Sequence, residues 1–510
     1  MSAPHKDVVL AIDLGSGGPK VGYATVDGHV LWWEYHRGDT IGGAAAQDPN
    51  EWWDVIIGYA RNGLREAQID PNRVVGISVT GQWSSTVPVD ETGRPVSDCL
   101  MWCDTHGATH AQKRFGGPVA GYNPAVLATW LRRSGGVPKP TGADPISHML
   151  HLSNDRPDLA GKSRWFLEPV DQLTMRFTGV ASASPMSMTG AWLTDNRDLS
   201  RIDYDPVLVE RAGIDPSKLP PLVQSGSVVG MILPDVARAI GIPESVKVIT
   251  GAPDLQNAAV ASGCVEPLQA HMGMGTSAWV SCPVTFKKSN VITQIASVPG
   301  IGDGNYLIAN NQDNAGRALE WYRQAVCPDM SYRDLEAEAA TSPAGSHSVI
   351  FTPWLNGERS PVDDRYARGG FHNLSLDATR ADMTRAVLEG VAMNMKWLLQ
   401  SAERFAGAKF DTIRLMGGCA QIDLWCQILA DACDRRLERI EQPLVAGLRG
   451  AAIYFGLVEG SISRADVHGL IPIDTVFTPN PDHRAIYDRL FAHFPGLHSR
   501  NKRMFQALNG

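Results

Sequence analysis

One order of elements occurs twice in this chain, and a duplicated order leaves few folds open. Val8–Asp13 is an apolar run that ends in the turn Gly15-Ser16-Gly17-Gly18. The strand-like segments Lys20–Val26 and His29–Tyr35 follow, separated by Asp27-Gly28. Short turns of this kind join consecutive antiparallel strands. Asp48-Pro49-Asn50 reads as a helix start, and Trp52, Val55, Ile56, Tyr59 and Leu64 lie at helical spacing, so a helix is expected over 51–68. A strand at Val74–Val79 comes next. In the second half Gln269–Met274, the turn Gly273–Ser277, Ala278–Cys282 and Tyr306–Asn310 give three strands again, then a helix over 314–324. Two βββα units, each opening on a turn of glycine and hydroxyl residues, point to duplicated α/β domains facing each other across a cleft.

Between the two units, the run from Val246 to Val260 opens β-branched, turns at Gly251 and Pro253, and continues with helix-favouring residues. It therefore reads strand, turn, helix. Asp254 sits where the helix starts. A carboxylate there either caps the first turn or, unpaired in a cleft, serves as a general base. The residues alone leave both readings open.

Asp13-Leu-Gly-Ser-Gly-Gly-Pro-Lys20 places a carboxylate at a strand end, then glycines that let backbone N–H groups approach an anion, then a cation. A phosphate cradle needs those features, although a plain hairpin turn uses the same glycines. It is not a Walker loop, since Gly-x-x-x-x-Gly-Lys-Ser/Thr is absent, and no helix follows it directly as in a dinucleotide fingerprint. Gly275-Thr276-Ser277 holds the equivalent place in the second half. Gly417-Gly418, between a strand at Thr412–Met416 and a helix over 423–433, either admits a purine ring against the backbone or makes a tight turn. Gln82-Trp83, at the end of a strand, is the better ligand-facing candidate among the aromatics. Trp32, Trp33, Trp52 and Trp53 are assigned to packing. His148 and His151 lack a third ligand and are taken as ordinary core or surface residues.

Composition narrows the partners. At 510 residues the chain suits two to four domains. A net charge of −8 and a pI near 6.0 argue against a nucleic-acid partner, which normally calls for a basic face. The eight cysteines contain no Cys-x-x-Cys pair, so a reducing cytoplasm is the expected home. No run approaches a membrane span, and Val8–Leu14, short and carrying Asp13, does not make a signal peptide.

The strings Ala11–Lys20, Gln47-Asp-Pro-x-Glu-Trp-Trp53, Trp102-Cys-Asp104, Gly251–Gln256, Met274–Ser277, Gly316–Trp321, Leu355–Pro361, Leu388-Glu-Gly390 and Gly417–Ala420 occur in one order along nearly the whole chain. In that order they resemble the FGGY carbohydrate kinases of the actin-like, ribonuclease-H-like ATPase superfamily, most nearly the xylulokinase-like branch. The resemblance implies an α/β protein of two such ATPase domains flanking a central cleft. Residues 1–245 would carry the sugar site and first phosphate loop. Residues 246–510 would carry the catalytic aspartate, second loop and adenosine pocket, with the last helix a candidate to pack back on the first domain.

Carried over by residue, the resemblance makes Asp254 the catalytic base and Asp13 the carboxylate that holds Mg²⁺, usually through water. Gly15, Ser16, Gly17 and Lys20 resemble the first phosphate loop, and Gly275 and Thr276 the second. Gly316, Glu320, Gly417, Gly418 and Gln421 match the ATP pocket, while Gln82, Trp83, Asp104 and Gln256 lie where the family meets its sugar. The chain departs from the family's pattern at Trp83, where Met-His is common, at His106 for an Arg, at Cys419 for a third glycine, and at Ile422 for Ser or Asn. The implied reaction is ATP-dependent phosphorylation of a keto-sugar or polyol, a pentulose such as D-xylulose first, with another pentulose, a pentitol or a tetritol as alternatives. A cytoplasmic homodimer with no nucleic-acid or membrane partner is the expected setting. From another class, an actin-like ATP-binding switch or a sugar sensor would need a polymerising or peptide-binding module, and no segment reads as one.

Overall fold

The computed structural model describes residues 7–36, 46–119, 121–302 and 304–510. Strand β1 (Val8–Gly15) is buried along nearly its whole length, which places it in the middle of a sheet. It pairs antiparallel with β2 (Gly18–Thr25), which pairs antiparallel with β3 (Val30–Tyr35), and it pairs parallel with β4 (Val74–Gly81). Helix α1 (Pro49–Glu66) makes the connection between β3 and β4. The Asp48 carboxylate caps it by accepting from Asn50 N–H, and Pro49 fills the first turn, where no N–H is needed. It turns Trp52, Ile56, Ala60 and Leu64 into the first core. Trp32 lies across Gly63 of this helix so closely that a Cβ there would meet its ring at 2.4 Å. Of the four tryptophans assigned to packing, Trp52 is buried and Trp32 and Trp53 are half-buried, whereas Trp33 is exposed.

Helix α2 (Pro169–Thr178) lies against this sheet. Strand β5 (Lys247–Ile249) continues the sheet beside β4, followed by the short Ala252–Pro253 pairing with Thr80 and Gly81. The first sheet therefore runs past the domain boundary expected at 245. Helix α3 (Asp254–Ala261) begins directly after it.

The second half repeats the plan. Strands β6 (Ala270–Met274) and β7 (Ala278–Ser281) form the hairpin. Strand β8 (Tyr306–Ala309) and helix α4 (Gly316–Val326) follow, then the long helix α5 (Arg380–Ala406). Strand β9 (Thr412–Met416) pairs parallel with β6, as β4 does with β1. Helix α6 (Asp423–Cys433) leads to β10 (Arg436–Ile440), which pairs parallel with β9. Helix α7 (Ala446–Val458) and the edge strand β11 (Ile473–Phe477), antiparallel to β10, complete the unit. An antiparallel edge strand beside a parallel pair occurs in the first half too, where Val228–Met231 pairs with β5.

The repetition breaks at the third strand. β3 is a full member of the first sheet, but β8 pairs mainly with Ile295–Pro299 and Pro283–Val284 in a separate small sheet. It still runs beside β7, tied by Ile308 N–H to Cys282 O at 3.0 Å, by Ser281 Oγ to Ile308 O at 2.7 Å and by the side chain of Asn310. Asn310 Oδ1 accepts from Val280 N–H at 3.1 Å and its Nδ2 donates to Val280 O at 2.6 Å, taking over a ladder that backbone bonds resume at Ala278–Gln312. Asn310→Ala is expected to leave both polar groups of the fully buried Val280 unpaired and to cost on the order of 2 kcal/mol in denaturant unfolding. A change within about 0.5 kcal/mol, ordinary for surface positions, would show that the ladder does not depend on it.

Helices α3 and α7 lie together between the two sheets. Gly450 of α7 approaches α3 until a Cβ would meet Ala261 Cβ and Asn257 Oδ1 at 2.8 Å. Leu448 and Phe455 of α7 cover Gly22 and Gly76 of the first sheet, while Ile453 and Ala446 pack with Ala258, Val260 and Met416 toward the second. The last helix, α8 (Pro481–Asn509), does not return to the first domain. It buries Leu490, Phe494 and Phe505 against Trp354, Met393 and Ile350 of the second half, because its apolar face matches the exposed side of α5. Among the described residues no helix is long and apolar enough to cross a membrane.

Candidate active site

Three chain features converge on Asp13 at the end of β1. Lys20, its cross-strand partner on β2, donates from Nζ to Asp13 Oδ2 at 3.1 Å, and the carboxylate beside it raises the Lys20 pKa. The first turn of α7 lies so near that a Cβ on Gly447 would meet Asp13 Oδ2 at 2.3 Å. A helix N-terminus carries partial positive charge and suits an anion. Asn257 of α3 donates to Gly447 O at 2.9 Å and ties the two helix starts together.

Asp254 is the first residue of α3, and the cap position belongs to Pro253, with no side-chain cap bond. Among the described residues no side chain donates to its carboxylate. Its side chain reaches solvent, yet the protein around it strips away much of its water. That desolvation, with the negative charge of Asp13 adding to it, pushes its pKa up to about 7, against a smaller opposing effect from Leu255 N–H. Asp254 stands one residue past the cap position and meets the first-turn N–H of Leu255, so it is not the N-cap residue of α3.

The first glycine turn is held from outside the hairpin. Gln47 donates to Ser16 O at 2.9 Å, and Tyr35 Oη donates to Gly17 O at 3.1 Å, close enough that any Cβ on Gly17 would strike it at 2.5 Å. Gly15 and the exposed Ser16 stay open. Gln47 Oε1 also accepts from Trp52 Nε1 and from Gln82 Nε2, so the start of α1 connects the turn to the end of β4.

The second turn is built on the backbone of α4. Gly316 N–H donates to Gly275 O at 2.9 Å, and Ala315 and Arg317 N–H donate to the carbonyl of the exposed Thr276. Gly417, at φ 102°, passes so near Met274 O that a Cβ would meet it at 2.4 Å, and only glycine fits both constraints. Cys419 donates from Sγ to Gly275 O at 3.4 Å, and burial pushes its thiol up to about 12. The cysteine that stands in place of a glycine thus braces the second turn. Gly418 and Gln421 are exposed, Gln421 donating to Gly418 O, and Glu320 is exposed on α4 beside Gln324. A small pocket lined by Leu319, Leu335, Leu388 and Ile422 lies between α4 and α5.

The remaining sugar-side candidates divide. Gln82 is buried with its Oε1 unpartnered, and Trp83 packs against Leu255, next in chain to Asp254, together with Trp279. Asp104 is buried, with Oδ1 accepting from His106 N–H and Oδ2 lying 2.8 Å from His106 Nδ1. The histidine found where an arginine is common therefore occupies this carboxylate. Gln256 is placed unlike the expectation. Two residues along a helix is a turn of about 200°, so it cannot share the face of Asp254, and its amide donates to Pro299 O inside the core. His148 is buried beside Thr86 and His151 pairs with Asp155, as the ordinary reading held. Among the described residues no cluster of His, Cys, Asp and Glu forms a metal cage.

Sequence reasoning passed over Gly447, Asn257, Tyr35 and Glu168. The small-residue spacing Ala446-Gly447-x-x-Gly450-Ala451 was the available sign that α7 packs closely against something.

Residues 8–261 match the N-terminal domain, and residues 271–457 the C-terminal domain, of the FGGY family of carbohydrate kinases. The chain is 27% identical to a xylulose kinase from Staphylococcus epidermidis over 98% of both chains. It is 24% identical to an L-xylulose/3-keto-L-gulonate kinase from Escherichia coli, over 90% of this chain and 91% of that one. The crystal structure of ligand-bound xylulose kinase from Lactobacillus acidophilus superposes with a TM-score of 0.87 at 22% identity, covering 98% of this chain and 100% of that one.

Proposed function

This chain belongs to the FGGY family of carbohydrate kinases and is an ATP-dependent sugar kinase; from that premise we propose that it phosphorylates a ketopentose, D-xylulose first, with Asp254 as general base. The observation that carries the reading is the state of Asp254: a carboxylate open to the groove, free of side-chain partners, with a pKa near 7. A base works best when its proton affinity lies close to the working pH. The acceptor oxygen bonds to the γ-phosphorus of ATP, its proton passes to the Asp254 carboxylate, and the P–O bond to the β-phosphate breaks with its electron pair leaving on ADP.

The residues around Asp13 fit a divalent cation. The charge of Asp13 raises the cost of ionising Asp254, and Lys20 pairs with Asp13 alone. Asp13 would hold Mg²⁺, which when bound with ATP neutralises charge on the transferring group. In this proposal Gly15, Ser16, Gly17 and Lys20 bind phosphate from the first half, and Gly275 and Thr276 from the second. Gly316, Glu320, Gly417, Gly418 and Gln421 border the adenosine. Closure of the two halves over the groove excludes water, which otherwise competes as acceptor.

Xylulose kinases among the relatives support the pentulose. Trp83, a bulky indole packed on the cluster that contains Leu255, makes a tetritol, shorter than a pentulose, the second reading. ADP release should be measured with Mg²⁺ and ATP against D-xylulose, other pentuloses, pentitols, tetritols and no sugar. Sugar-dependent turnover with the highest kcat/KM on D-xylulose is the expected result. A polyol in first place would replace the substrate assignment, and ATP turnover indifferent to every sugar would favour a nucleotide switch.

A further inference from the structure

We infer that Glu168 is a positioning residue for the acceptor: its carboxylate holds the backbone of Ser84 and Ser85 so that Gln82-Trp83 and Trp102–Asp104 keep one arrangement. The inference rests on reading Gln82, Trp83 and Asp104 as acceptor contacts.

Glu168 occupies the N-cap position of α2, where a side chain ordinarily serves the free N–H groups of its own helix. It makes no cap bond there. Its side chain instead crosses to the loop after β4, where Oε1 accepts from Ser84 N–H at 3.2 Å and Oε2 from Ser85 N–H at 3.1 Å. The residue is 1% exposed, and among the described residues no cation pairs with it. A buried carboxylate without a cation is costly, and a short polar cap would have served α2 without that cost. Burial pushes its pKa well above the ordinary carboxylate range, with the N–H groups of Ser85 and Ser84 pulling the other way. What the carboxyl group supplies is two oxygens at once, and the segment they hold needs holding.

Ser84 has φ 63°, a region that a residue with a Cβ enters unwillingly. Gly190 closes the other side, since a Cβ there would meet Ser84 Cα at 3.0 Å. The same segment fixes the second acceptor loop. Ser85 Oγ accepts from Trp102 N–H at 3.0 Å, and Thr86 exchanges both backbone bonds with Leu100. Two neighbouring loops therefore depend on one side chain 83 residues further along the chain.

Glu168→Gln retains one acceptor and sets an NH₂ against the other N–H. It is expected to raise the acceptor KM by about tenfold, the scale of a modest misplacement, while the ATP KM stays within about twofold. Ser84→Gly in the Glu168→Gln background should recover part of the loss, because glycine enters positive φ unaided. Glu168→Asp, which keeps the carboxyl group but is too short for both N–H groups, is measured in parallel and should fall between; it also serves if the glutamine variant does not fold. Equal changes in both KM values, or a lower melting temperature with unchanged acceptor KM, would overturn the inference. Wild-type protein without sugar-dependent turnover would instead defeat the acceptor reading beneath it.

Discussion

Asp254→Asn is expected to lower kcat by about 10³-fold, the scale of a lost general base, with ATP affinity within about threefold of wild type. The substitution keeps the shape of the side chain and removes only its ability to take a proton. Because its pKa lies near 7, the wild-type kcat/KM should fall about tenfold per pH unit below that value, and this limb should be absent from the residual activity of the variant. Stability should move the other way. A carboxylate whose folded pKa is raised holds its proton more tightly in the folded chain, so ionising it costs stability as pH rises from about 4, the unfolded value, to 7. Asp254→Asn should therefore melt at a higher temperature than wild type at pH 8, and the difference should vanish at pH 4. Retention of near-full turnover would remove Asp254 from the mechanism.

Asp13→Asn is the second large effect. Loss of the carboxylate that faces Lys20 and the start of α7 should lower kcat/KM on the order of 100-fold, as removal of a metal-supporting group does. A second readout separates this from simple damage. The charge of Asp13 is one of the two causes that raise the pKa of Asp254. Neutralising it should move the acid limb of the pH profile to lower pH even as the rate falls. An acid limb that stays in place or moves upward would show that the two carboxylates do not act on one another. Both variants should be assayed with the best acceptor from the sugar panel.

The residues that were legible from sequence are those whose role is local. Gly417 needs a positive φ in a strand-to-helix turn, and its string Gly417-Gly418 announced a turn whichever ligand it meets. The Asp48 cap with Pro49 announced α1, and the strand at Thr412–Met416 and the helix Asp423–Cys433 emerged within the expected ranges, because periodic burial is written in consecutive residues. The strand after β7 was anticipated too, but not its place outside the main sheet. That comes from its pairing with Ile295–Pro299 and Pro283–Val284, with Asn310 reaching Val280, thirty residues away, to keep it beside β7.

Gln256 shows the opposite failure. Its string matches a family that meets sugar nearby, yet its position on α3 turns it toward Pro299. Glu168 gave no sign at all, since an acidic residue before Pro-Val-Asp reads as a helix start. Its partners lie 83 and 84 residues earlier.

The sequence by itself determined that two similar α/β units exist, where their glycine turns lie, and that an aspartate opens the helix between them. Those follow from short-range periodicity and turn chemistry, which each segment carries whole. Only the tertiary structure decided that α3 and α7 pack as one layer between the sheets, that their first turns meet at Asp13, and that Asp254 is left uncapped beside it. The reason is that pKa, close approach and unpartnered acceptors arise from distances between atoms, and such distances are set by packing across hundreds of residues.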